Sequence, residues 1–357
     1  MPQRAIPFLF MRGGTSRGPY FNRADLPEDR EALAELLCDV VGAGHPLNID
    51  GIGGGAAVTT KVAMLSPSED PWADVDYLFA QLAVEERLVD FKPTCGNILA
   101  GVGPAAIEMG LVDANGPETR VRIRAVNTGT RVEASVKTAD GAVCYEGDCM
   151  IDGVPGSAAP VPLSFMDVAG SSTGAMLPTG NVVDMIDGIE VTCIDVAMPM
   201  MIARAADFGI EGTESREELD SNRALIDRME AVRLQAGELM RMGDVSQSVT
   251  PKVGLLSAPR GNGSISARYF MPWACHPTMA VTGGQCIASS LLCPGTVSRD
   301  IARCPNGSPA KIVIEHPVGE IEIMIDYKPS SDGLIEIISG GVVRTARLLA
   351  RGEVMAP

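Results

Sequence analysis

The sequence predicts an α+β protein of two repeated halves, each made mainly of strands wrapped around a helix that opens at a glycine turn. Three observations support this. The chain has 357 residues, more than one ordinary core needs at ~150 residues per domain. Short alternating apolar segments outnumber helical patterns. A stretch in the first half reads against one in the second, which is the signature of duplication.

The repeat is seen by pairing Thr60-Lys61-Val62-Ala63-Met64-Leu65-Ser66-Pro67 with Pro251-Lys252-Val253-Gly254-Leu255-Leu256-Ser257-Ala258. Each follows a polar or glycine-rich stretch, Asp50-Gly51-Ile52-Gly53-Gly54-Gly55 in one and residues 243–248 in the other. Further on, Cys95-Gly96-Asn97-Ile98-Leu99-Ala100 is answered by Thr282-Gly283-Gly284-Gln285-Cys286-Ile287-Ala288, where a glycine turn opens a run of small and apolar residues expected as a buried helix. The glycine- and serine-rich residues 171–180 set the expected boundary. The domains are then 1–178, carrying Lys61 and Cys95, and 179–357, with the final strand free to return to the first domain. Strands are expected over 74–81, 119–126, 131–136, 190–196, 264–270 and 319–325. Amphipathic helices are expected over 28–41 and 216–242; the second spaces Leu225, Met229, Val232, Ala236 and Leu239 at three- and four-residue steps.

Composition removes several classes of function. An apolar fraction of 46% is too high for a disordered chain. A net charge of −16 argues against non-specific nucleic-acid binding, which needs a basic surface. No apolar run approaches the ~18 residues of a membrane span, and Arg12 with its glycine turn cuts off the run at 6–11, so no signal peptide is expected. A cytoplasmic protein with no membrane partner is the reading. Nine cysteines without a CxxC spacing and three histidines (His45, His276, His316) offer no clustered metal ligands, so no metal is expected.

The glycine turns are where chemistry is expected. A helix start presents unbonded N–H groups that suit carboxylate or phosphate, and glycine lets a ligand approach the backbone. Gly96-Asn97 and Gly283-Gly284 are two such starts, with Thr282 a further donor beside the second. Arg12-Gly13-Gly14-Thr15-Ser16-Arg17-Gly18 adds a cation and hydroxyl donors, from Arg12, Thr15 and Ser16, without the Walker spacing of a nucleotide loop. The 51–55 run lacks the helix and distal acid of a dinucleotide fold, although Gly53 and Gly54 are counted among the substrate-binding positions. Arg268 and His276 complete that set; each is equally readable as a satisfied polar residue at a strand end. Cys95 stands where a helix begins, a place that favours thiolate, or is a small buried cap. Lys61, one of only six lysines against twenty-three arginines, opens a probable core strand. Desolvation there would make it a general base, and an exposed strand end would make it ordinary.

Together, residues 12–18, 50–54, Thr60-Lys61-Val62-Ala63 and Cys95-Gly96-Asn97 resemble the aconitate-isomerase and 4-oxalomesaconate isomerase/tautomerase family, which has the diaminopimelate epimerase fold. The likeness covers nearly the whole chain, and its later segments are most similar to the oxalomesaconate enzymes of bacterial aromatic-acid breakdown. It implies a curled, mainly antiparallel sheet around a central helix in each domain, and an active site in the cleft between them. Lys61 and Cys95 become the implied acid–base residues. Epimerases of this fold carry a second cysteine, where this chain has Thr282, with Cys286 a helical turn further in. Threonine is no base at neutral pH, so two-thiol racemisation is not expected. Arg17 stands where many relatives carry lysine.

The leading functional expectation is therefore a cofactor-independent isomerase acting on 4-oxalomesaconate, a small tricarboxylate, by allylic shift or keto–enol tautomerisation. Methylaconitate is the alternative substrate, and a non-catalytic anion-binding protein the alternative class. A homodimer is compatible with all three.

Overall fold

A computed structural model describes residues 3–357. The chain is α+β and divides into two compact units. One holds the residues up to Ser164 together with Val343–Pro357, and the other holds Phe165–Val342. The division precedes the glycine-rich stretch at 171–180, and the last residues belong with the first unit.

In the first unit, strand β1 (Arg4–Gly13) turns back antiparallel into β2 (Ser16–Asn22). Helix α1 (Arg30–Val41) follows, capped by the Asp29 carboxylate accepting from the Ala32 N–H at 2.9 Å. It carries the chain over to β3 (Lys61–Pro67), which lies parallel to β2. A parallel neighbour requires such a crossover, so the helix is demanded by the pairing. Strand β4 (Val75–Leu82) returns antiparallel, with Lys61 opposite Gln81 and Leu65 opposite Tyr77. A second crossover contains α2 (Gly96–Leu99) and α3 (Val102–Glu108) and leads to β5 (Glu118–Ala125), parallel to β4. Strand β6 (Thr130–Ala139) then pairs antiparallel with β5. Residues 346–356 pair antiparallel with β1.

The second unit runs through the same alternation of pairings. Strands β7 (Ile189–Asp195) and β8 (Pro199–Arg204) are antiparallel. Helices α4 (Arg216–Ser221) and α5 (Arg223–Leu239) cross to β9 (Lys252–Ser257), parallel to β8. Strand β10 (Ile265–Phe270) is antiparallel to β9. Helix α6 (Val281–Leu292) crosses to β11 (Ala310–His316), parallel to β10. Strand β12 (Gly319–Pro329) follows antiparallel, and β13 (Ile335–Ala356) pairs with it through residues 335–342 before its remainder passes to the first unit. The strand pairings in each unit are thus mixed, with the parallel joints at the helical crossovers.

Each sheet buries a helix by a simple apolar stripe. Leu33, Leu37, Val40 and Val41 of α1 join Val62, Met64, Ala80 and Leu82 in one core; its leucine, valine and methionine side chains contribute ~1.5–3 kcal/mol each when fully buried. In the second unit Leu225, Met229, Val232 and Ala236 of α5 pack with Val191, Met201, Val253 and Leu255. The helix expected over 216–242 is two helices. Ser215 and Glu218 form a capping box for the first, and Asn222 leaves helical geometry to cap the second through the Leu225 N–H at 3.1 Å. The helix expected after Cys95 is also broken. Tyr20 Oη donates to the Ile98 carbonyl at 2.5 Å, and the Tyr20 ring lies where a Cβ on residue 101 would stand, so only Gly101 fits. Its counterpart α6 is continuous and buried from Gly283 to Leu292, as a helix apolar on all sides must be.

Candidate active site

Strand β4 organises the site in the first unit. Successive side chains of a strand alternate between faces, so Tyr77, Phe79 and Gln81 share one face while Leu78, Ala80 and Leu82 join the α1 core. Lys61, cross-strand from Gln81, lies on the same face as these three. Its Nζ donates to Gln81 Oε1 and stands 5.3 Å from the centroid of the Phe79 ring. Gln81 is itself fixed, since its Nε2 donates to the carbonyls of Ala57, Thr60 and Leu82, each at 3.1 Å. Lys61 opens the strand as expected and is half-buried there, while Val62 to Leu65 behind it are buried.

At the other end of this face, Tyr77 is fully buried beside Thr94 and Cys95. Cys95 is a half-buried free thiol at the start of α2, and no side chain caps that start. The α2 helix has four residues, so the dipole at Cys95 is that of a single turn. Gly96 is exposed and nothing lies within 4 Å of where its Cβ would be, which leaves its backbone open to a ligand. Burial pushes the phenols of Tyr20 and Tyr77 well above 10, and the charge of a Cys95 thiolate is the next influence on both. Both tyrosines are therefore neutral hydroxyls.

The β1–β2 turn closes onto the same segment. Gly13 and Gly14 lie so close to Asn97 that a side chain on either would overlap it, and Gly14 has a φ of +51°. Asn97 Nδ2 donates to Thr15 Oγ1 at 3.0 Å. Ser16 is buried with no partner for its Oγ. Gly18 packs on the carbonyl of Lys61, so a Cβ there would overlap that oxygen. Gly18→Ala is accordingly expected to displace Lys61, lower the melting temperature and reduce turnover by about tenfold or more. Thermal melting and steady-state kinetics check this, and a variant equal to wild type in both would remove the constraint.

Other residues marked by the sequence have different employment. Arg12 Nη1 donates to the Gly14 carbonyl at 2.9 Å and to the backbone and side-chain oxygens of Thr345 at 3.0 Å each. It pins the turn, and lines a cavity of about 320 Å³ with Tyr145, Thr345 and Arg347 that includes neither Lys61 nor Cys95. Gly53 is a packing residue: its N–H donates to Val41 O at 3.0 Å, and a Cβ would meet that oxygen at 2.6 Å. Gly54 is exposed beside Thr59 and Arg17.

In the second unit, Arg268 is buried on β10 and donates to the carbonyls of Glu214 at 2.9 Å and Ala267 at 3.2 Å, so it is a satisfied strand residue. His276 Nδ1 accepts from the Thr278 N–H at 3.0 Å, which places the ring proton on Nε2. Burial lowers its pKa from 6.5, keeping the ring neutral at pH 7. Thr282 is exposed in the first turn of α6, whose start has no side-chain cap. Gly283 is required by packing, because a Cβ would meet the Tyr269 ring at 2.9 Å. Cys286 is fully buried and donates to Met198 O at 3.3 Å; desolvation raises its pKa far above the ordinary thiol range. It is inert as an acid or base at neutral pH. Among the described residues no group of three or more His, Cys, Asp or Glu is placed to hold a metal ion, and no helix is long and apolar enough to cross a membrane.

A family model described as PrpF protein matches residues 3–357. The chain belongs to the PrpF family. Its relatives include the 4-oxalomesaconate tautomerase of Pseudomonas putida, 48% identical over 99% of this chain and 97% of that protein. The (4E)-oxalomesaconate Delta-isomerase of a Novosphingobium strain is 46% identical over 99% of each. Among solved structures, methylitaconate-delta-isomerase superposes with a TM-score of 0.88 at 34% identity, covering 100% of this PrpF-family chain and 96% of that one. Gln81, Phe79, Tyr77, Tyr20 and Gly18 are the site-building residues that motif reading passed over. The alternation of β4 was the available signal, since a glutamine and a tyrosine there share a face with the lysine across the strand.

Proposed function

We propose that this protein is a cofactor-independent isomerase that moves a proton within 4-oxalomesaconate, with Lys61 and Cys95 as its acid–base residues. One observation carries the reading: an amine and a thiol are brought to one face of β4, the amine through Gln81 and Phe79 and the thiol beside Tyr77. Relatives named for 4-oxalomesaconate, at 46% and 48% identity over essentially the full length, support that substrate.

The chemistry needs only the substrate's own electron sink. Its ketone and carboxylates acidify a C–H bond, and Lys61 takes that proton. The resulting dienolate is held by the open N–H groups at Gly96 and Asn97 and by the Ser16 hydroxyl, which has no partner of its own. Cys95 delivers a proton at the far carbon, and solvent resets both groups. In the second unit, the uncapped start of α6 at Thr282 and Gly283 and the neutral Nε2–H of His276 are suited to carboxylate. Arg12 acts by holding the turn that carries Thr15 and Ser16. The matching alternation of strand pairings supports descent of the two units from one duplicated unit, a sheet curled around its helix.

Side-by-side assay of 4-oxalomesaconate and methylaconitate tests the substrate. A kcat/KM higher for 4-oxalomesaconate by about tenfold or more is expected. The opposite order would transfer the site to methylaconitate, and binding of either without turnover would make the protein an anion binder.

A further inference from the structure

We propose that Tyr77 is a positioning residue for Cys95: its hydroxyl donates a hydrogen bond to the Cys95 thiolate once the thiol has given up its proton. The inference rests on the assignment of Cys95 above and deepens it.

The Tyr77 hydroxyl carries a buried proton with no acceptor among the described residues. Tyr77 is 0% exposed, and its Oη is set beside the Thr94 side chain and the Cys95 backbone N–H. Burying an undonated hydroxyl proton is unfavourable, a cost that phenylalanine at the same place would avoid. The strand fixes the ring: residue 77 is paired with Leu65 on one side and Ala125 on the other, and the ring centroid lies 6.3 Å from that of Phe79. What the hydroxyl neighbours is the Thr94–Cys95 segment, and the charge of a Cys95 thiolate is the strongest acting on it.

The surroundings leave Tyr77 as the donor for this task. The other phenol beside Cys95, Tyr20 from β2, has spent its proton on the Ile98 carbonyl. The charged and titratable groups acting on Tyr77 are Cys95 and Tyr20, and those acting on Tyr20 are Cys95, Arg12 from β1 and Tyr145. Arg12 is committed to Gly14 and Thr345. A neutral phenol that keeps its own proton can stabilise the thiolate without competing for the proton being moved. Cys95 is then a stronger acid where the dienolate must be protonated, and no proton is gained or lost by Tyr77.

The test titrates Cys95 by iodoacetamide alkylation across pH, read at the Cys95 peptide by mass spectrometry, in wild type and Tyr77→Phe. No substrate is present, so the result is independent of which molecule the enzyme isomerises. The alkylation midpoint is expected to move about one pH unit to the alkaline side in Tyr77→Phe, a tenfold weaker acid, while the melting temperature holds or rises. Turnover should fall through kcat with KM unchanged. Tyr20→Phe is the contrast, since removing a bonded hydroxyl should lower the melting temperature. A Tyr77→Phe midpoint equal to wild type, whatever its melting temperature, overturns the proposal and makes the hydroxyl a packing element. A KM effect with kcat unchanged overturns it as well, and would place the hydroxyl on the substrate.

Discussion

Lys61→Met is expected to fall in turnover by at least ~10²–10⁴-fold, the range spanned by loss of a general base, in a protein that melts close to wild type. The two halves of this result come from different atoms. Nζ is the group proposed to act; it donates to Gln81 Oε1, whose amide is held independently by three carbonyls. The aliphatic stem lies at the edge of β3, where methionine keeps the apolar surface and the backbone pairing. The buried residues of the strand, Val62 to Leu65, are untouched. Steady-state kinetics with thermal melting checks the prediction. A folded variant with wild-type kcat would remove Lys61 from the chemistry.

Much of the fold could be read from the chain because its strands alternate and its crossovers carry apolar stripes. The helix of residues 30–41 and the strands of 75–82, 118–125 and 189–195 fall where local pattern puts them. What local pattern missed was decided by long-range contacts. The helix after Cys95 breaks because Tyr20, 78 residues away in sequence, presents its hydroxyl to Ile98. The long helix near 222 breaks because one asparagine side chain can cap a new start. The site was legible in the same way. Lys61, Cys95, Asn97 and the glycine turn carry chemistry in their residue types and were visible. The glutamine and two aromatic residues on the β4 face became visible only through the register that sets residue 81 opposite residue 61. Residue type alone marks Arg12 and Gly53 as ligands and leaves Arg268 open between ligand and satisfied strand residue, because the backbone carbonyls that occupy them come from distant sequence.

Cys95→Ser separates proton removal from proton delivery. Serine keeps the size and hydrogen bonding of the residue that opens α2, and the cysteine makes no capping bond that could be lost, so the fold should be unchanged. Its hydroxyl is far too weak an acid to protonate the dienolate, and isomer formation should fall by ~10²-fold or more. The base is untouched, so the first half of the reaction should continue. The measurement that bears most directly on the two-residue account is proton NMR of 4-oxalomesaconate with this variant in deuterated water, following recovered substrate and product together. The account predicts that substrate still exchanges its acidic hydrogen for deuterium at close to the wild-type rate while product is nearly absent. Loss of exchange together with product would make Cys95 the initiating base and reverse the two roles. Unchanged product formation would contradict the account outright, leaving Cys95 as no more than the first residue of a helix.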